Sequence, residues 1–167
     1  MRELVCEIRA FVGSISDLSK TQRDLLMAAQ IVRRKAYAPY SHYLVGATVL
    51  ATSGEQYSGC NVERASYTQT THAEQNAIDT MVAVEGRSAR VRAVAVVCAP
   101  ESERITAYAP PSARRFIISD VPAPCGNCLQ DLVEHALGPE MEIILLNSSG
   151  EVFVTTLRDA LPMPFKL

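Results

Sequence analysis

The spacing of apolar positions changes several times along the chain, and each change predicts an element. Between residues 3 and 15, Leu4, Ile8, Phe11, Val12 and Ile15 recur at helical spacing and predict an N-terminal helix. Ser19-Lys20-Thr21-Gln22 has the form of a capping box. A second helix is expected to follow it, burying Leu25, Ala29, Val32 and Ala36 and stopping at Pro39. Residues 44–51 (LVGATVLA) read as a strand, Ser53-Gly54 as a tight turn, and 56–62 (QYSGCNV) as the hairpin partner. A helix is expected over 71–85 with Gly86 as its stop. The Val- and Ala-rich run 91–98 suits a central strand buried on both faces. A further helix is expected over 125–137, ended by Gly138-Pro139. Strands at 141–147 and 151–156 flank Ser148-Ser149-Gly150, a turn short enough to make them antiparallel.

The order α-α-β-β-α-β-α-β-β predicts an α/β fold, a three-layer α/β/α arrangement around a mixed five-stranded sheet. Residues 99–124 interrupt this regularity with Pro100, Pro110, Pro111, Pro122 and Pro124 and one apolar run at 116–118. Connections of that length in a compact domain usually serve function. With 167 residues and no internal repeat, the expectation is a single domain spanning 1–167. Within it, 1–18 is a helical extension and 99–124 a loop insertion.

Composition narrows the classes. Hydrophobic residues make up 48% and charged residues 20% of the chain, an ordinary soluble mixture. A domain of this size buries roughly 70% of its unfolded surface, so it needs no disulfides to fold. The five cysteines are an odd number, and Cys6, Cys60 and Cys98, scattered among apolar residues, read as buried free thiols. Glu3, Glu7 and Arg9 break the first apolar stretch, so it does not read as a signal peptide. No stretch approaches the roughly 18 apolar residues of a membrane span. A cytoplasmic protein without a membrane partner is expected. The net charge of -2 supplies no field for a phosphate backbone, which argues against nucleic acid and for a small polar substrate.

The chemistry concentrates at two helix starts. In Pro124-Cys125-Gly126-Asn127-Cys128 the two thiols are three residues apart where a helix begins, so they share a face. Free N–H groups and the helix dipole favour thiolates there, and thiolates at that spacing suit zinc. The same spacing serves a redox pair, but such a site would follow the first strand of a βαβ unit, early in the chain. His72 opens the other core helix in Thr71-His72-Ala73-Glu74-Gln75. Helices that follow strands of an open sheet begin on a common edge, so His72, Cys125 and Cys128 are expected to converge on one Zn²⁺. Three protein ligands leave a fourth position for water and make the site catalytic rather than structural. Glu74, two residues from His72, is expected beside the metal as a proton carrier, not as a ligand. The combination H-x-E followed by P-C-x-x-C is a zinc deaminase signature. His42 and His135 read as structural.

Beyond these motifs the chain resembles the cytidine deaminase family. Residues 38–47 (APYSHYLVGA) resemble the family's APYSxFxVGA, 59–67 (GCNVERASY) resemble GCNVENASY, and 157–165 (LRDALPMPF) resemble LxxLLPxxF. The resemblance implies hydrolytic deamination of cytidine or deoxycytidine, with one zinc per subunit, by a homotetramer of cytoplasmic pyrimidine salvage; a dimer is the alternative. It implies that Asn61 and Glu63 hold the sugar hydroxyls. It places the Ala73 backbone and Glu74 against the pyrimidine, Tyr43 (usually Phe) near the base, and Phe165 as a lid reaching a neighbouring subunit's site. His72 and Gln75 replace the Cys and Arg usual in short members and match the dimeric bacterial branch. The two swaps go together: two thiolates and one imidazole neutralise Zn²⁺, whereas three thiolates leave a negative charge that an arginine offsets. Arg64 and Leu129 replace a usual Asn and Arg, and the connection before Pro124 is longer than usual. These departures leave open a modified nucleoside, a nucleotide or a nucleoside antibiotic as substrate, with Arg64, Arg114 and Arg115 as candidate phosphate contacts. An editing deaminase acting on nucleic acid and a non-catalytic zinc-stabilised binding module share the motif. The first lacks a basic-aromatic stripe. The second would need a fourth protein ligand.

Overall fold

The computed structural model describes residues 7–103, 105 and 121–165. Its elements are β1 (Ala10–Gly13), α1 (Lys20–Arg33), β2 (Tyr43–Ala51), β3 (Gln56–Cys60), α2 (Ala73–Glu85), β4 (Val91–Pro100), α3 (Gly126–His135), β5 (Glu142–Leu146), β6 (Val152–Thr156) and α4 (Leu157–Ala160). The strands form one mixed sheet in the order β1-β6-β5-β4-β2-β3. Only β4 and β5 are parallel, as the crossover through α3 requires. The last pair, β5 and β6, is antiparallel as expected.

Side chains alternate across the central strands, and this alternation divides the core in two. Val94 and Val96 of β4 and Ile143 and Leu145 of β5 face α2, α3 and α4. Ala93, Ala95 and Val97, with Ile144 and Leu146, face α1. The α/β/α layering of the sequence reading therefore holds, with β4 buried on both faces.

The helix ends follow local chemistry. The Ser19 hydroxyl accepts from the Gln22 N–H at 3.3 Å, and the Gln22 side chain accepts from the Ser19 N–H at 2.9 Å. Gly86 ends α2 with φ of 84°, a left-handed position that suits glycine. Helix α1 buries Leu25, Leu26, Ala29 and, unexpectedly, Arg33; Val32 is only half-buried and Ala36 lies past the helix. Arg33 tolerates burial because its guanidinium donates to three backbone carbonyls, those of Leu44 (3.0 Å), Ala99 (2.8 Å) and Pro100 (3.0 Å).

Among the described residues from 7 onward, the N-terminal helix is not formed. Residues 10–13 are instead a strand paired antiparallel with β6, followed by a single 3-10 turn at Ile15–Asp17, so the sheet has six strands rather than five. The apolar spacing misled because it does not mark a buried face: Phe11 is 77% exposed. The free edge of β6 and the β-favouring Phe11 and Val12 decide the conformation. Asp17 stops the segment by accepting from the Ser14 N–H at 2.8 Å. Residues 1–6, with Cys6, lie outside the described residues, as does most of the 99–124 connection, including the apolar run at 116–118 and Arg114 and Arg115.

Two close approaches fix where the helices sit. A Cβ at Gly46 would lie 2.1 Å from the Ala29 carbonyl oxygen, so α1 rests directly on β2. A Cβ at Gly59 would lie 2.4 Å from the Ala77 nitrogen and 2.5 Å from the Ala73 oxygen, so the first turns of α2 rest on β3. Because β2 is antiparallel to both β3 and β4, those two strands run the same way. The helices that follow them, α2 and α3, therefore start on the same edge of the sheet. No described helix is long and apolar enough to cross a membrane.

Candidate active site

His72 and Cys125 are the residues immediately before α2 and α3, and Cys128 lies in the first turn of α3. The shared sheet edge brings all three together. His72 Nδ1 lies 3.2 Å from Cys128 Sγ and 3.5 Å from Cys125 Sγ, and the two sulfurs are 3.6 Å apart. Zn–S bonds of about 2.3 Å and a Zn–N bond of about 2.0 Å span a tetrahedral face with edges of roughly 3.5–3.8 Å. The triangle of donors fits that face, and among the described residues it is the one group of three such donors close enough to hold a metal. Burial pushes the Cys128 thiol far above its ordinary range, and the neighbouring Glu74 and Cys125 push it further. Only a cation at the centre of the triangle would make thiolates favourable here, so the donor set fits a divalent metal.

Glu74, in the first turn of α2, is only 4% exposed. Burial raises its carboxyl pKa, opposed by its own backbone N–H, by a hydrogen bond with Cys128 and by His72. It is not one of the converging donors. It opens instead onto a cavity of about 500 Å³, which His72, Ala73 and Cys125 line from the same side.

Asn61 and Glu63 line the same cavity. The chain beyond β3 is extended and held by Val62, whose N–H donates to the Thr71 carbonyl at 2.9 Å. The Asn61 amide donates to the Tyr43 carbonyl at 2.9 Å and accepts from the Val45 N–H at 2.8 Å. One amide hydrogen and one lone pair remain for a ligand. The Glu63 carboxylate accepts from the Tyr40 N–H (2.9 Å), the Ser41 N–H (3.2 Å) and the Ser41 hydroxyl (2.5 Å). These donors, the hydroxyl foremost, hold its pKa below the usual carboxylate range. An uncharged polar molecule carrying hydroxyls at one end would meet an amide and a fixed anion in this cavity, together with a metal and a buried acid.

Comparison with known proteins decides the family. The zinc-binding region of cytidine and deoxycytidylate deaminases matches residues 19–139. The chain belongs to this deaminase family. A cytidine deaminase of Sporosarcina psychrophila is 35% identical over 141 residues, 84% of this chain and 88% of the relative. One from Halalkalibacterium halodurans is 34% identical over 144 residues, 86% and 93% of the two chains. The solved cytidine deaminase of Burkholderia pseudomallei superposes with a TM-score of 0.70 at 35% identity, covering 89% of this chain and all of its own. The one from Mycobacterium tuberculosis gives 0.63 at 30% identity, covering 86% and 96%. Zinc is the metal of this deaminase chain, and the His72, Cys125 and Cys128 group suits it.

The other residues singled out in the sequence fall unevenly around the deaminase cavity. Tyr43 lines it and donates its phenol to Cys98 Sγ at 3.2 Å. Phe165 does not line it; it is 67% exposed and its backbone bonds to the Gln130 side chain at 3.0 and 3.1 Å. Arg64 is exposed, with its guanidinium 3.5 Å from the Glu63 carbonyl. Leu129, where the family usually has Arg, is packed in the core. Val121, Pro122 and Ala123 line the cavity, so the described end of the long connection does border the site. His42 takes a left-handed φ of 54° and faces Glu101 at 3.6 Å, while His135 Nδ1 meets the Asp131 carbonyl at 3.0 Å.

Sequence reasoning missed Ser41, the donor to Glu63, although it lies inside the motif that carries the resemblance. It also missed Cys98, read as an ordinary buried thiol; it is buried and outside any disulfide, but it lines the cavity. Its position two residues after Val96, on the β4 face that lines the cavity, was the available signal.

Proposed function

We propose that this protein hydrolytically deaminates cytidine or deoxycytidine, releasing ammonia. The observation that carries the reading is one cavity that brings together a buried acid, a zinc-suited donor triangle and an amide–carboxylate pair. His72, Cys125 and Cys128 would hold the zinc, which supplies Lewis acidity that makes water nucleophilic at neutral pH. Glu74 takes one proton from the attacking water and delivers it to the ring nitrogen. It then takes the second proton from the new C4 hydroxyl and delivers it to the amine, which leaves as ammonia as the C4 carbonyl forms. Burial, which raises its pKa, favours uptake of each proton. The Ala73 backbone and Tyr43 orient the base. Asn61 and Glu63 bind the sugar hydroxyls, and Glu63 does so as a permanent anion. Val45, Val96 and Cys98 add apolar surface to the cavity lining.

The working protein on this reading is a single-domain, cytoplasmic homotetramer acting in pyrimidine salvage. Exposed Phe165, tied to α3 and outside its own cavity, supports a lid donated to a neighbouring site. Arg64 beside the sugar-binding pair supports a second reading, deamination of a nucleotide.

The test is ammonia release from cytidine, deoxycytidine, CMP and dCMP, with zinc measured on the same sample. Turnover of the nucleosides is expected. Turnover of the nucleotides alone would establish the second reading, and inertness toward all four by zinc-loaded protein would end both. Light scattering tests the tetramer.

A further inference from the structure

The metal donors come from two helices that are separate in sequence, while metal–ligand bonds keep their lengths to within about 0.2 Å. A second connection between α2 and α3 lies one helical turn beyond the donors. Gln75 is three residues after His72, and Asp131 three after Cys128, so each shares a helix face with its ligand. The Gln75 carboxamide accepts from the His72 backbone N–H at 3.1 Å and donates through Nε2 to Asp131 Oδ2 at 2.9 Å. Both side chains are half-buried, and neither lines the substrate cavity.

We propose that Gln75 and Asp131 act as a clasp that positions His72 against Cys128 and thereby sets the affinity for zinc. They are positioning residues: neither reaches the reacting atoms. The chemistry of residue 75 is restrictive. A carboxamide accepts at one end and donates at the other. A carboxylate there could cap His72 but not donate to Asp131. An arginine could donate to Asp131 but not accept from His72. This gives Gln75 a role that the charge balance of the donor set alone does not supply.

The inference rests on the proposed ligand set, and the two can fail separately. The probe is zinc alone, titrated into the metal-free full chain in competition with a chromogenic chelator. Undiminished zinc binding by His72→Ala and Cys128→Ser would overturn the ligand set and the functional reading with it. With the ligand set standing, Gln75→Glu is expected to weaken zinc binding about 10- to 100-fold, the usual effect of losing a partner that orients a metal ligand. The added negative charge acts in the opposite direction, so unchanged or tighter binding would overturn the clasp. Gln75→Glu combined with Asp131→Asn reverses the polarity of the contact and keeps the net charge. It is expected to restore affinity to within about threefold of wild type, a non-additivity that only a direct contact produces. A double variant no better than Gln75→Glu overturns the proposal. Should Gln75→Glu alone fail to fold, the double variant decides: it must fold and bind zinc like wild type. Asp131→Asn alone keeps an acceptor for Nε2, and an effect there as large as that of Gln75→Glu also counts against the clasp.

Discussion

Glu63 and Glu74 line one cavity and expose almost the same small fraction of surface, 5% and 4%, yet their acidities move in opposite directions. Three donors from residues 40 and 41 surround Glu63 and keep it ionised. Glu74 has the start of its own helix and a thiol beside it, which do not offset its desolvation. Solvent exposure alone therefore does not assign a role to a carboxylate; the depth at which it sits and the donors aimed at it do. The carboxylate with many donors is a fixed binding group, and the one with few can exchange a proton.

The contrast can be broken from either side. The largest effect is expected for Glu74→Gln, which keeps the shape and removes the proton carrier. Turnover of cytidine should fall by at least about 10²- to 10⁴-fold while zinc content is retained. Loss of zinc in that variant would make Glu74 a ligand and end the contrast. The same change should leave the metal-free protein no less stable in thermal melts, since it removes a poorly solvated charge.

Gly59→Ala tests the joint between these groups, because Gly59 lies on β3 two residues before Asn61 and supports the first turns of α2. The added methyl has nowhere to go, and overpacking of this kind should cost about 1–3 kcal/mol in denaturant unfolding. It should also lower kcat/KM by shifting Glu74 relative to the sugar pair. A stable variant with normal kinetics would show that the two groups need not be held in register.

Ser41→Ala touches only the fixed carboxylate. KM for cytidine should rise roughly three- to tenfold with kcat nearly unchanged, the signature of lost uniform binding. Its stability difference from wild type should depend on pH in a defined direction. Glu63 is more acidic folded than unfolded, so its hydrogen bonds stabilise the fold above about pH 4.3, the unfolded value. That contribution disappears as pH falls through the lower folded value. The gap between the two proteins in urea melts should therefore narrow on acidification, and a gap that widens would mean Glu63 is not the anion described. The smallest effect is expected for Arg64→Ala: cytidine turnover within about twofold of wild type, because this exposed side chain has no phosphate to meet on a nucleoside.

The legible parts of this molecule were those written in local chemistry. The capping box at Ser19, the stop at Gly86, the short turn after residue 147 and the paired motifs around His72 and Cys125 are each contained in a few neighbouring residues. What could not be read depends on distant backbone. Arg33 looks like a surface cation until the Ala99 and Pro100 carbonyls, 66 and 67 residues away, are placed against it. The Gln75–Asp131 contact spans 56 residues. Residues 10–13 carry a helical period, but the partner that overrides it, β6, comes some 140 residues later.

That added strand has a consequence for the molecule's behaviour in concentrated solution. Without β1, strand β6, with the sequence VFVTT, would end the sheet: short, free of charge, rich in β-branched residues and open along one side. Such edges pair with other chains. Residues 10–13 occupy this edge, and the segment leading to them brings charge through Glu7 and Arg9, the latter bonding its N–H to Asp159 at 3.2 Å. A chain starting at Ser19 would retain every described residue of the cavity and the whole region that matches the deaminase family. It would also carry an unguarded adhesive border, so its shortened N-terminus would show up first as self-association rather than as lost chemistry.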